Sequence, residues 1–121
     1  MKVQRIPDLA AAAVAANPSR PATMVGHDTA DARVVLFRIE PGQAVAVHTN
    51  PSTVLLSIVS GSGFVTGADG EEAVSAGDLV TYAPKEPHGM RATTTQLVIA
   101  AVISPRPGDR KADVQELTAK S

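Results

Sequence analysis

The chain has 121 residues and 12.4 kDa, enough for one compact domain, with 44% hydrophobic residues but only 2% aromatic. A net charge of −1 without any run of Lys or Arg, and with no Trp, gives neither phosphate neutralisation nor stacking platforms for nucleic acid. The absence of cysteine excludes disulfides, thiolate zinc sites and cysteine nucleophiles, and fits a cytoplasmic location.

Twenty alanines and fifteen valines mean that any core is built from small and β-branched side chains. The longest apolar runs, Leu9–Ala16 and Leu97–Ile103, fall well short of the roughly 20 residues that span a bilayer, so no membrane partner is expected. Lys2 and Arg5 ahead of the alanine-rich run superficially suggest a signal peptide. Pro7 and Asp8 interrupt its start, and alanine is too weakly apolar, so the stretch predicts a short helix over about 8–16. Asp8 serves there as N-cap or first-turn acid, and Asn17-Pro18 as the stop.

From Pro21 the pattern turns to β. Ala32–Glu40, Ala44–Thr49 and Thr53–Ser60 read as strands separated by Pro41-Gly42 and Asn50-Pro51. Thr53–Ser60 is apolar on both faces, with Leu55 and Val59 opposite Leu56 and Ile58, which predicts burial against a second sheet or a dimer partner. Phe64–Thr66 and Glu71–Val74 flank Gly67-Ala68-Asp69-Gly70, a hairpin turn signal. Leu79–Tyr82, His88–Thr94 and Gln96–Ser104 complete the strands. Asp109–Lys120 then predicts a polar terminal helix, about 109–119, with Ala112, Val114 and Leu117 on one face. His27 falls in a predicted loop, and Lys85 and Glu86 in an exposed turn. No helix-sized pattern separates the central strands. The expectation is an all-β antiparallel barrel or sandwich, one domain over 1–121 with its core over about 22–104.

Two glycine-bounded segments carry more. The first runs Gly42-x5-His48-x-Asn50-x3-Val54-x6-Gly61, and the second runs from Gly77-Asp78 to Pro87-His88. Over about 34–104 the order, glycine spacing and distance between these segments resemble the cupin family, with motifs G-x5-H-x-H-x3-4-E-x6-G and G-x5-P-x-G-x2-H-x3-N. The resemblance implies a double-stranded β-helix, or jelly roll, that is usually dimeric, hence a homodimer here. It also implies metal ligands at the motif histidines and glutamate. Here His48 and His88 stand at the first and last histidine positions, whereas Asn50 and Val54 replace the second histidine and the glutamate. The second motif's proline is displaced to Pro84, its glycine is Lys85 and its asparagine is Ala92. Two imidazoles make a weak chelate, so the expected cofactor is none, or one weakly held divalent metal at His48 and His88.

Strand alternation from His48 places Ala44 and Ala46 on its face, from Val54 adds Leu56 and Ile58, and from His88 adds Met90 and Ala92. With Tyr82 near the mouth, these residues predict a ligand pocket of Asn50, Val54, Leu56, Ile58, Met90, Ala46 and Tyr82, with His48 and His88 as candidate catalytic groups. Inward alanines would leave that pocket open rather than filled. Arg38 and Arg91 would face away from it, so a strongly anionic ligand is not favoured. Three functions remain open: a small-molecule-binding cupin without a full metal site, a metal-dependent oxygenase or isomerase with a depleted site, and a metal-free isomerase or cyclase with histidine as general base.

Overall fold

The computed structural model describes residues 1–107. Its elements follow in the order α1 (Ile6–Ala12), β1 (Ala22–Asp28), β2 (Arg33–Ile39), β3 (Ala44–His48), β4 (Thr53–Ser60), β5 (Ser62–Gly67), β6 (Gly70–Ser75), β7 (Leu79–Tyr82), β8 (His88–Ala92) and β9 (Leu97–Ser104). The helix expected over 109–119 lies outside the described residues. The strands form two antiparallel sheets, one of order β1-β2-β9-β4-β7 and one of order β3-β8-β5-β6. The fold is all-β, the jelly roll that the motif spacing implied.

The main core lies between the sheets. Val35, Phe37 and Ile39 of β2, Val54, Leu56 and Ile58 of β4, and Leu97, Ile99, Ala101 and Ile103 of β9 alternate inward. Val45, Val65 and Met90 meet them from the smaller sheet. The intervening residues of β2 and β9 are buried too: Leu36 and Val98 pack beneath Ala10 of α1, with Ile6, Leu9 and Val59 around them. A strand covered on both faces has no reason to alternate in sequence, which explains the unbroken apolar runs. It also identifies what covers Val59, which is the N-terminal helix and not a second sheet.

That helix is shorter than the sequence suggests. Pro7 sits in its first turn and Asp8 is a first-turn acid, while Arg5 occupies the N-cap without a side-chain cap. It ends at Ala12 because Val14 leaves to exchange both backbone hydrogen bonds with Thr23, a bridge that ties the alanine segment to β1. His27, expected in a loop, lies within β1, where a register shift between Val25 and His27 accommodates Gly26. The predicted tight hairpin is present, with Gly67 paired to Gly70 across Ala68-Asp69. No helix among the described residues is long and apolar enough to cross a membrane.

Candidate functional site

The site begins with a bulge. Val45 pairs with Met90, but three positions later His48 pairs with His88, two positions along β8. One extra residue in β3 reverses its alternation, so Val45 points into the core and Ala46 is exposed. Ala44 is exposed as well. Ala46 is therefore not a pocket residue, and Val45 takes the inward position in the core instead. Gly89 makes room for the bulge, since a Cβ there would lie 3.1 Å from Val45 O and 3.2 Å from Val47 Cα.

Beyond the bulge His48 and His88 become cross-strand neighbours, 7% and 4% exposed, with ring centroids 4.2 Å apart. Each ring is held by its own backbone. His48 Nδ1 lies 2.8 Å from Ala46 O, and His88 Nδ1 lies 3.1 Å from Glu86 O. A carbonyl only accepts, so each Nδ1 is a donor, and in a neutral ring Nε2 is then the acceptor. Burial pushes the His88 imidazole below the ordinary histidine value; its hydrogen bond to Glu86 O and the Glu86 charge pull it up less strongly, and the neighbouring His48 adds to the fall.

Asn50 joins them from the loop after β3. It is 6% exposed, its Oδ1 accepts the Ser52 backbone N–H at 3.0 Å, and its backbone carbonyl accepts the Lys85 N–H at 2.8 Å. The second bond ties the His48 loop to the His88 turn, where Lys85 takes a left-handed conformation with φ of 68°. Asn50 Nδ2 is buried without any hydrogen-bond partner.

The three polar side chains border a cavity of about 20 Å³ whose other walls are Phe37, Val54, Leu56, Met90, Ala101 and Ile103. That volume holds one water-sized group. The barrel is thus filled, not hollow as inward alanines would have left it. The structure brings together His48, His88, Asn50, Val54, Leu56 and Met90 from the predicted set. Ile58 and Tyr82 are buried but are not part of this wall. Tyr82 stacks behind His88 at 5.1 Å and donates its hydroxyl to Thr66 O at 2.7 Å, so the hydroxyl does not serve the mouth. Burial and the Glu86 charge push its pKa up to about 12. Phe37, Ala101 and Ile103 were missed as walls. The inward faces of β2 and β9 held the signal, because they alternate in step with Val54 and Leu56.

The donor set does not fit a divalent metal. Among the described residues no group of three or more His, Cys, Asp or Glu side chains converges. The third polar group at the cavity, Asn50, is a neutral amide whose Oδ1 already accepts the Ser52 N–H and whose Nδ2 has no partner among the described residues.

A family model described as a cupin domain matches residues 35–104, which include His48, Asn50, Val54 and His88. This chain belongs to the cupin family. Solved structures agree on the fold. A double-stranded β-helix domain protein from Klebsiella pneumoniae superposes with a TM-score of 0.77 at 22% identity, covering 87% of this cupin and 90% of that chain. KdgF from a Halomonas species gives 0.72 at 19% identity over 80% and 90% of the two chains. A protein from Thermotoga maritima described as a predicted oxalate decarboxylase gives 0.62 at 22% identity over 69% and 81%. No curated protein matches this sequence.

Proposed function

We propose that this cupin binds a small, neutral, mostly apolar molecule at the His48–His88 end of its barrel, without a resident metal. One observation carries the reading: two histidine rings, each held through Nδ1 by a backbone carbonyl, and an Asn50 amide nitrogen buried without a partner among the described residues line one small cavity. Buried polar groups are nearly always partnered, so the open amide beside two imidazoles calls for a ligand or an ordered water. The apolar walls suit an uncharged body, and among the described residues no cationic side chain borders the cavity to attract an anion. A cavity of about 20 Å³ admits only the ligand's polar tip. A larger body enters by parting the Asn50 loop from the Lys85 turn, which the single Asn50 O–Lys85 N bond holds together.

The test combines metal analysis of protein purified without added metal with histidine side-chain NMR. Stoichiometric metal that survives dialysis would sink the reading. Titration with cyclohexanol, and with acetate as the charged control, is expected to move both histidine ring signals with the alcohol alone. Equal response to acetate, or no response to either, counts against it.

A second reading, a metal-free isomerase or cyclase, draws on the depressed basicity and free Nε2 of His88, which suit a general base that stays neutral at pH 7. A pH–rate profile for turnover without an inflection below about 6.5 would remove it.

A further inference from the structure

We infer that Asn50 determines the specificity of the cavity: its inward amide hydrogens select a neutral oxygen, that of water or of a hydroxyl, and turn divalent cations away. The inference rests on the binding reading above and names the atom that the site receives.

The orientation of the amide follows from chemistry. Ser52 N–H is a donor and can meet only an acceptor, so the side-chain atom 3.0 Å away is Oδ1 and the other is Nδ2. Rotating the amide by half a turn would set the NH2 group against the Ser52 N–H, two donors face to face. The rest of the residue is held as firmly, by the Lys85 N–H on its carbonyl, by Pro51 after it and by burial to 6% exposure. Nδ2 is therefore the atom left open, on a residue that lines the cavity and with no acceptor among the described residues.

The His48 and His88 rings line the same cavity, and their Nδ1 bonds to Ala46 O and Glu86 O leave Nε2 of each neutral ring as the acceptor. The demand on an occupant is specific: it accepts one hydrogen bond and donates to the imidazoles. A water satisfies all three groups and fits a volume of about 20 Å³. A ligand hydroxyl satisfies Asn50 and one imidazole. A carboxylate has no hydrogen for either Nε2. A divalent cation meets the positive end of the N–H dipoles and finds only two donor atoms, below the three that open metal sites use. Aspartate has nearly the same shape as asparagine. At position 50 one of its oxygens would still accept the Ser52 N–H, while the other would face the cavity and complete a set of two imidazoles and one carboxylate.

The experiment is a Co²⁺ titration of the full chain at pH 8, followed by visible absorption, on the native protein, Asn50→Asp, and Asn50→Asp combined with His48→Ala. Asn50→Asp with native circular dichroism is expected to bind Co²⁺ more tightly than the native protein by at least the roughly 10–100-fold that supporting groups contribute at metal sites. The double variant is expected to lose that gain. A second measurement needs no variant: in native protein labelled with ¹⁵N, a bound water is expected to give a cross-relaxation signal to the Asn50 side-chain amide protons. A folded Asn50→Asp that takes up no more Co²⁺ than the native protein, with both free of metal as purified, overturns the role of Asn50 and leaves the binding reading standing. Native protein that already carries metal as purified overturns that reading itself. Should Asn50→Asp fail to fold, the water signal decides, and its absence overturns the inference.

Discussion

Of two hollows among the described residues, a wide groove under α1 and a small cavity at the histidine pair, the smaller is the better candidate. Between α1 and the outer face of the five-stranded sheet lies a groove of about 680 Å³, lined by Ile6, Ala10, Arg38, Val59 and Val98 among others. The cavity at His48 and His88 measures about 20 Å³. In the groove Arg38, Glu40 and Gln96 are partnered. Arg38 donates to Ala10 O at 2.6 Å and pairs with Glu40 at 3.1 Å, and Gln96 donates to Glu40 as well. In the cavity Asn50 Nδ2 is buried with no hydrogen-bond partner among the described residues. Volume alone measures how well side chains pack. Buried hydrogen-bonding capacity left open is what a ligand can use, because each such group costs stability until it is satisfied.

The largest expected effect sharpens this contrast through packing. Leu56 is fully buried and forms part of the cavity wall. Leu56→Ala is expected to cost about 2–5 kcal/mol in urea unfolding, whereas Val59→Ala on the half-buried outer face should cost less than about 1.5 kcal/mol. Equal costs would mean that the outer groove is as tightly packed as the barrel interior.

The next effect is the loss of a specific bond. Arg38→Ala removes the guanidinium that donates to Ala10 O at 2.6 Å, and about 1 kcal/mol of stability should go with it after screening is allowed for. Amide exchange is expected to rise in α1 while the His48 and His88 ring signals stay in place. Movement of those signals would join the two hollows into one cooperative unit and break the comparison.

A third test uses pH. The folded His88 holds its proton less tightly than the unfolded chain does, because burial disfavours the charged ring next to His48, with Tyr82 packed against it and Glu86 opposing the shift. Above the unfolded value of about 6.5 both states are neutral and the full stability is present. As pH falls below it the unfolded chain takes up the proton first, so stability declines until the lower folded value is reached. The urea midpoint is expected to drop over that window in the native protein and to flatten in His88→Gln. A native profile without slope would place His88 in water. The smallest effect belongs to the surface: Glu71 pairs with Arg91 at 2.7 Å in the open, and Glu71→Gln should leave the melting temperature within error.

Much of the fold was legible because its signals are local. Unbroken apolar, β-branched runs marked β4 and β9, the Asp69-Gly70 pair marked the hairpin, and the motif spacing brought His48 and His88 to one place. The β3 bulge was not legible. One extra residue between Val45 and His48 changes no composition, yet it moves Ala44 and Ala46 to the outside and closes the pocket they were expected to open. The end of α1 was set by a partner distant in sequence, Thr23, and no local stop signal records that. Position 50 was legible as a missing histidine. What its amide does was not, because that depends on which atom Ser52 claims.

Histidine ring ¹⁵N spectra of the native protein at pH 7.5 test the central claim most directly. The account predicts that both His48 and His88 carry their proton on Nδ1, with Nε2 as an acceptor, and that both respond together when cyclohexanol is added. Rings protonated on Nε2, or two histidines that respond independently, would contradict it.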